Sequence, residues 1–194
     1  MILQNEEVRA KIVDVARQIF SQFGFRKTTM EEIAAASRKG KSSIYYYFTS
    51  KEDIFKAVVE KEAEMLKSEV LKKVENIEDP VEKLKVYITA RMRRLSKLTN
   101  FYSALKSDYL SHLEFIDNIR QSYDQEEVKI ISDILQDGID KGLFADDDPS
   151  LTAISIVTAM KGLEVPLLIS KEHRNFESRM NNLISFLFYG IVKR

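Results

Sequence analysis

The sequence predicts an all-α protein of about nine helices, on three observations. Apolar residues recur at spacings of three and four along most of its 194 residues, which lines one face of a helix. No alternating apolar and polar run is long enough for a strand. The six glycines and three prolines fall mostly between the apolar stripes, where helices stop and start. The organisation read from this pattern is an N-terminal three-helix block over residues 1–50 and a C-terminal helical bundle over 51–194.

The first helix is expected over residues 5–23, with Val8, Ile12, Val15, Ala16, Ile19 and Phe23 on one face and Gly24 as its stop. A second begins at Thr29. Glu32 follows three residues on, so hydroxyl and carboxylate can satisfy free amides reciprocally in a capping box. It ends near Ser37, and a short third helix covers Lys41–Phe48. Ser50 caps a long fourth helix, with Glu52 and Asp53 at its positive end. Asp79-Pro80 and Asp148-Pro149 each read as a cap followed by proline at the first helical position.

Between those two starts, Phe101–Phe115 suggests one or two short helices. A long helix follows from about Ile116 to Lys141 and stops at Gly142. Pro166 is expected to kink or end the penultimate helix. The last helix, about Phe176–Val192, carries Met180, Leu183, Ile184, Leu187, Phe188 and Ile191.

Net charge is zero, but its distribution is uneven. Residues 1–51 hold nine Lys/Arg against five Asp/Glu, leaving the rest of the chain acidic by the same margin. A basic end of this kind suits a polyanion. There is no cysteine, which excludes disulfides and thiolate chemistry. Acid arrives at Glu6-Glu7 before any apolar stretch, so no secretory signal is read, and the apolar runs near Leu163–Ile169 and Leu183–Val192 are short for a bilayer. A cytoplasmic location is expected, without membrane contact.

Three short helices with a tight turn between the second and third outline a helix-turn-helix. A duplex major groove admits one helix, which must be polar on its outer face. In the segment Lys41–Phe48, Ile44, Tyr47 and Phe48 fall on an inward face, while Lys41, Ser42, Ser43, Tyr45 and Tyr46 fall outward. Lys and Arg supply the phosphate neutralisation that dominates affinity for DNA. The basic and hydroxyl residues nearby, Arg26, Lys27, Thr28, Thr29, Arg38, Lys39 and Gly40, complete the candidate DNA-facing set, with Lys51.

Over residues 8–60 the chain resembles the tetracycline-repressor (TetR) family. The resemblance lies in Ala16, Phe20, Gly24, Thr28-Thr29-Met30, Ile33-Ala34, Ile44-Tyr45-Tyr46-Tyr47-Phe48, Ser50-Lys51-Glu52 and Phe55. It implies a DNA-binding transcriptional regulator, a repressor acting as a homodimer on a palindromic operator and answering to a small molecule. It also implies that Thr29, Tyr45, Tyr46 and Lys51 meet phosphates and that Lys41–Ser43 lie over base edges. One departure stands out. Where the family's turn usually reads Ala-Gly-Val-Ser, this chain has Ser37-Arg38-Lys39-Gly40, so Arg38 replaces a glycine.

Beyond residue 60 the likeness is architectural. It implies a C-terminal bundle that holds an effector and pairs through its last two helices. Candidate pocket residues are Met92, Tyr102, Tyr109, Tyr123 and Met160, for each of which ordinary core is the favoured alternative; candidate dimer residues are Leu183, Leu187, Phe188 and Ile191. Asp108 with His112 is too few ligands for a metal, and Asp146-Asp147-Asp148 reads as a loop ending in a cap. No glycine-rich phosphate loop or nucleophile motif supports an enzyme, so neither catalysis nor a cofactor is expected. An interaction module that has lost DNA binding is the remaining alternative, and the intact basic residues of 26–51 argue against it.

Overall fold

The caps and stripes of the sequence become helices at nearly the expected places. The computed structural model describes residues 2–95, 98, 100, 114–145, 148–169 and 176–190. Among these residues it is all-α, with eight helices and no strand. In chain order they are α1 (Ile2–Phe23), α2 (Met30–Ala36), α3 (Lys41–Tyr47), α4 (Lys51–Val74), α5 (Pro80–Leu95), α6 (Glu114–Asp140), α7 (Pro149–Ile169) and α8 (Phe176–Tyr189). The readings placed on Tyr102, Tyr109, Asp108, His112, Asp146, Asp147 and Ile191, and on the Leu183 side chain, lie outside the described residues.

Local chemistry accounts for the helix starts. The Thr29 hydroxyl accepts from the Glu32 amide, and Glu32 accepts from the Thr29 amide at 2.8 Å, closing the capping box. Ser50 Oγ accepts from the Asp53 amide at 3.1 Å ahead of α4. Asp79 Oδ1 accepts from the Val81 amide at 3.0 Å, and Asp148 Oδ1 from the Leu151 amide at 2.9 Å. Gly24 ends α1 at φ 82°, in the left-handed region that glycine enters without a Cβ penalty. Pro166 does not end α7, which continues to Ile169. Proline there removes one helical hydrogen bond.

The described residues fall into two compact units, Met1–Leu66 with Leu98–Arg120, and Lys67–Lys97 with Gln121–Arg194. The core of the first unit is built from Ile12, Ala16 and Phe20 of α1, Ile33 of α2, Ile44 of α3, and Ile54, Phe55 and Val58 of α4, all essentially buried. The rings of Phe20, Phe25 and Phe55 lie 4.8–5.7 Å apart between centroids and fix the α1–α2 turn against α4. Each such side chain contributes about 1.5–3 kcal/mol by leaving water. A small polar group sits beside this core. Buried Asn100 donates to the Arg17 carbonyl at 3.0 Å and to Glu62 at 2.9 Å.

The second unit buries Leu84, Ile88, Met92 and Leu95 of α5, Ile131 and Leu135 of α6, and Ala153, Val157 and Met160 of α7. At its centre Arg91 holds Glu127 with two hydrogen bonds, Nε to Oε1 at 2.9 Å and Nη2 to Oε2 at 3.1 Å, with both side chains buried. Tyr87 donates to Glu127 as well. Burial first, then the Glu127 charge, pushes the Tyr87 phenol far above its ordinary range, so it remains a donor. No described helix is long and apolar enough to cross a membrane.

Candidate nucleic-acid interface

The short helix α3 is amphipathic over two turns, and its two faces separate as the spacing implies. Ile44 and the following Phe48 are buried, while Tyr45 and Tyr46 are 45% and 72% exposed. Lys41 and Ser42 are exposed, and Ser43 is half-buried. Tyr47 is also half-buried, and its hydroxyl donates to Asn5 Oδ1 on α1 at 3.0 Å. The Asn5 amide in turn donates to the Tyr46 hydroxyl at 3.4 Å. The tyrosine run therefore does two jobs. Tyr47 ties α3 to α1, and Tyr45 and Tyr46 present their rings outward.

The turn before α3 keeps its shape despite the arginine. Arg38 is the one described non-glycine residue at positive φ, 54°, and its amide donates to the Ala35 carbonyl at 3.1 Å. The left-handed position normally filled by glycine is thus filled by Arg38 at a conformational cost. Gly40 has ordinary extended backbone and stands as the N-cap of α3 without a side chain to offer the helix.

The outward residues carry an ion pair. The Lys41 ammonium binds the Glu31 carboxylate from α2, and both side chains are well exposed. That hydrogen bond, backed by the Lys41 charge, holds the Glu31 carboxyl below its usual range. The same bond and charge hold the Lys41 ammonium above its own. Arg26, Lys27, Thr29, Arg38 and Gly40 are exposed and Lys39 half-exposed, so the structure leaves these candidates at the surface.

Two candidates have their polar atoms engaged within the unit. Thr28 is buried, and its hydroxyl donates to the Gly24 carbonyl at 2.9 Å. Lys51, half-buried at the start of α4, donates to the carbonyls of Phe25 and Thr28 at 2.9 Å each and lies 4.4 Å from the Phe25 ring centroid. The Lys51 ammonium thus supplies donors to two carbonyls of the α1–α2 turn, of which Phe25 also accepts from the Thr28 amide at 3.4 Å. Both residues hold the turn that aims α2. The remaining candidates lie in the second unit. Met92 and Met160 are completely buried and Tyr123 half-buried, while Leu187 and Phe188 line a cavity with Leu84 and Ile88. Sequence reasoning missed the exposed apolar pairs Leu151 and Ile154 on α7 and Phe186 and Tyr189 on α8, each at i, i+3 spacing and 49–65% exposed. Their spacing was the available signal.

Residues 12–58 match the family model described as bacterial regulatory proteins of the tetR family. Over those residues the chain is similar to the tetR family of regulators. The match covers α2 and α3 whole, with the parts of α1 and α4 that pack on them. An uncharacterised HTH-type transcriptional regulator of Mycobacterium tuberculosis is 34% identical over 83 residues, 43% of this chain and 41% of that protein. The chain thus aligns with about two fifths of the length of such relatives. The HTH-type transcriptional repressor NicS of Pseudomonas putida is 28% identical over 74% of this chain and 69% of its own length. The fold is shared with solved regulators over nearly the whole chain. The structure of FadR from Bacillus subtilis, solved with stearoyl-CoA, superposes with a TM-score of 0.72 over 94% of this chain and 99% of that one, at 20% identity.

Proposed function

We propose that this chain is a TetR-family regulator, a sequence-specific DNA-binding repressor that acts as a homodimer on a palindromic operator and is released or recruited by a small molecule. The observation that carries the reading is the outer face of α3, where Lys41, Ser42, Tyr45 and Tyr46 are exposed over a buried Ile44 and Phe48. A polar, cation-bearing helix of this size fits a major groove. Lys41, Ser42 and Ser43 read base edges, and Thr29, Arg38, Tyr45 and Tyr46 meet phosphates, with Arg26, Lys27 and Lys39 adding charge nearby. Residues 1–50 form the DNA-reading part and 51–194 the responding part, in a cytoplasmic protein.

The exposed apolar pairs on α7 and α8 supply the dimer face. A two-fold dimer sets two α3 helices in successive grooves, about 34–36 Å apart or somewhat more. An effector acts by binding better to the conformation with the wrong spacing, and can shift the balance only by that difference in affinity. The repressor sense is supported by the name of NicS.

Selection of bound duplexes from a random pool at two salt concentrations tests the reading. A palindromic consensus that survives the higher salt is expected. Weak binding without a consensus, lost as salt rises, would reduce the interface to a generic basic patch.

A further inference from the structure

The second unit holds a cavity of about 520 Å³, inside the usual span of small-molecule sites, about 300–1,000 Å³. Its walls come from four helices and one turn: Ile88 of α5, Leu135 of α6, Phe144 of the turn after α6, Ser155 of α7 and Phe188 of α8 are among them. Of the described lining side chains nine are apolar, two carry hydroxyls and none is ionisable.

The Phe144 wall has its own support in the helix beneath it. A Cβ at Gly138 of α6 would stand 2.1 Å from the Phe144 ring. Glycine inside a helix costs about 0.5–1 kcal/mol relative to alanine, and here its bare backbone seats the ring. Gly142, at φ 68°, turns the chain back, and the Leu143 and Phe144 amides donate to the Gly138 carbonyl at 2.8 and 3.2 Å. Ser155 donates to the Leu151 carbonyl at 3.0 Å, which leaves its oxygen free to accept. The Thr152 hydroxyl is the second polar side chain of the lining.

We propose that this cavity binds an uncharged, largely apolar small molecule with one hydrogen-bond donor, which Ser155 or Thr152 accepts. The inference rests on the reading of the second unit as the responding part and names the chemistry of its ligand. No described wall residue offers a countercharge, and the Lys85 ammonium, 5.3 Å from the Phe188 ring centroid, donates to the Tyr189 hydroxyl, so an ionised guest loses its hydration without full compensation. A hydrocarbon body gains by contact with the aliphatic and phenyl surfaces. Because α7 and α8 contribute both walls of the cavity and the exposed apolar pairs, an occupant bears on the helices proposed to pair.

The test uses the full chain, without DNA, and N-phenyl-1-naphthylamine, an uncharged apolar dye that brightens out of water. Saturable binding of one dye per chain is expected. Dodecanol should displace the dye at least about tenfold better than dodecanoate at neutral pH, a difference of about 1.4 kcal/mol. Ser155→Phe fills the cavity from its solvent side and should weaken dye binding by about tenfold or more with the helical circular dichroism retained. If that variant does not fold, Ser155→Leu carries the same expectation. Dye binding indifferent to both substitutions, unsaturable binding, or equal displacement by dodecanoate overturns the proposal. Loss of the dye site with an intact operator consensus would sink the cavity alone. A confirmed dye site with no consensus would sink the regulator reading alone.

Discussion

Arg38→Gly should make the protein more stable and bind DNA less well. Arg38 sits at φ 54°. That conformation costs an L-residue about 1–2 kcal/mol, and glycine adopts it freely but returns about 0.5–1 kcal/mol through its looser unfolded chain. The net expectation is a gain of about 0.5–1 kcal/mol. The hydrogen bonds that close the turn, from the Arg38 amide to Ala35 and from the Lys39 amide to Ala34 at 3.0 Å, run between backbone atoms and survive the change. For a chain of this size that gain raises the melting temperature by about 1–4 °C. Urea denaturation followed by circular dichroism reads the same quantity. On DNA the lost guanidinium removes the phosphate contact proposed for it in each protomer. With Arg38 present in both protomers, the slope of log affinity against log salt should then shrink by about 1.8 for the dimer, with specific and random duplexes losing alike. A drop in stability would refute the strain argument, because it would mean the arginine side chain contributes more than its backbone costs. An unchanged salt slope would remove Arg38 from the phosphate set.

Four further outcomes follow from named contacts. Lys51→Ala removes two charge-assisted hydrogen bonds, leaving Phe25 its bond from the Thr28 amide, and a ring contact, and should cost about 1.5–3 kcal/mol in urea unfolding; full stability with only a DNA defect would place its role at the DNA interface. Glu31→Gln removes an acid from the proposed DNA-facing side and releases Lys41 in each protomer, so all duplexes should bind several-fold tighter with a salt slope steeper by about 1.8 for the dimer, and unchanged titrations in anisotropy would show that the pair does not limit binding. Arg91→Met strands a buried Glu127 charge and should cost about 3–5 kcal/mol, of which Glu127→Gln in the same chain should recover at least half; a single-variant loss below about 1 kcal/mol would show that the pair is not held dry. Phe186→Glu combined with Ile154→Glu places charge on both exposed stripes and should yield a monomer in sedimentation, whereas an undisturbed dimer would move the pairing surface elsewhere.

Most of the helical frame was legible because its causes are local. A capping box at Thr29 and Glu32 needs only three intervening bonds of sequence to be seen, and Asp79-Pro80 and Asp148-Pro149 mark their helices by chemistry that acts within one turn. The division of α3 into outward and inward faces was legible for the same reason, since seven residues at a fixed rotation leave little choice once Ile44 and Phe48 are buried. The persistence of α7 through Pro166 was not, because helical packing can outweigh one missing hydrogen bond.

What the chain hides is where polar atoms are consumed and where volume is left empty. Lys51 reaches carbonyls 26 and 23 positions away, at Phe25 and Thr28, and nothing in its own neighbourhood announces that. Read locally it is a cation at a helix start; read in three dimensions it is a cap for another helix's turn. Leu187 and Phe188 pose the converse problem. The last helix is apolar over a broad arc, and period alone cannot say which part of the arc meets its own unit. The structure turns Leu187 and Phe188 toward the cavity and leaves Phe186 and Tyr189 outside. A helix apolar on both sides has more surface than one unit can cover, so the exposed pair calls for a second surface. The same helix therefore links the two proposals that most need testing, since one of its faces lines the cavity and the other is free to pair.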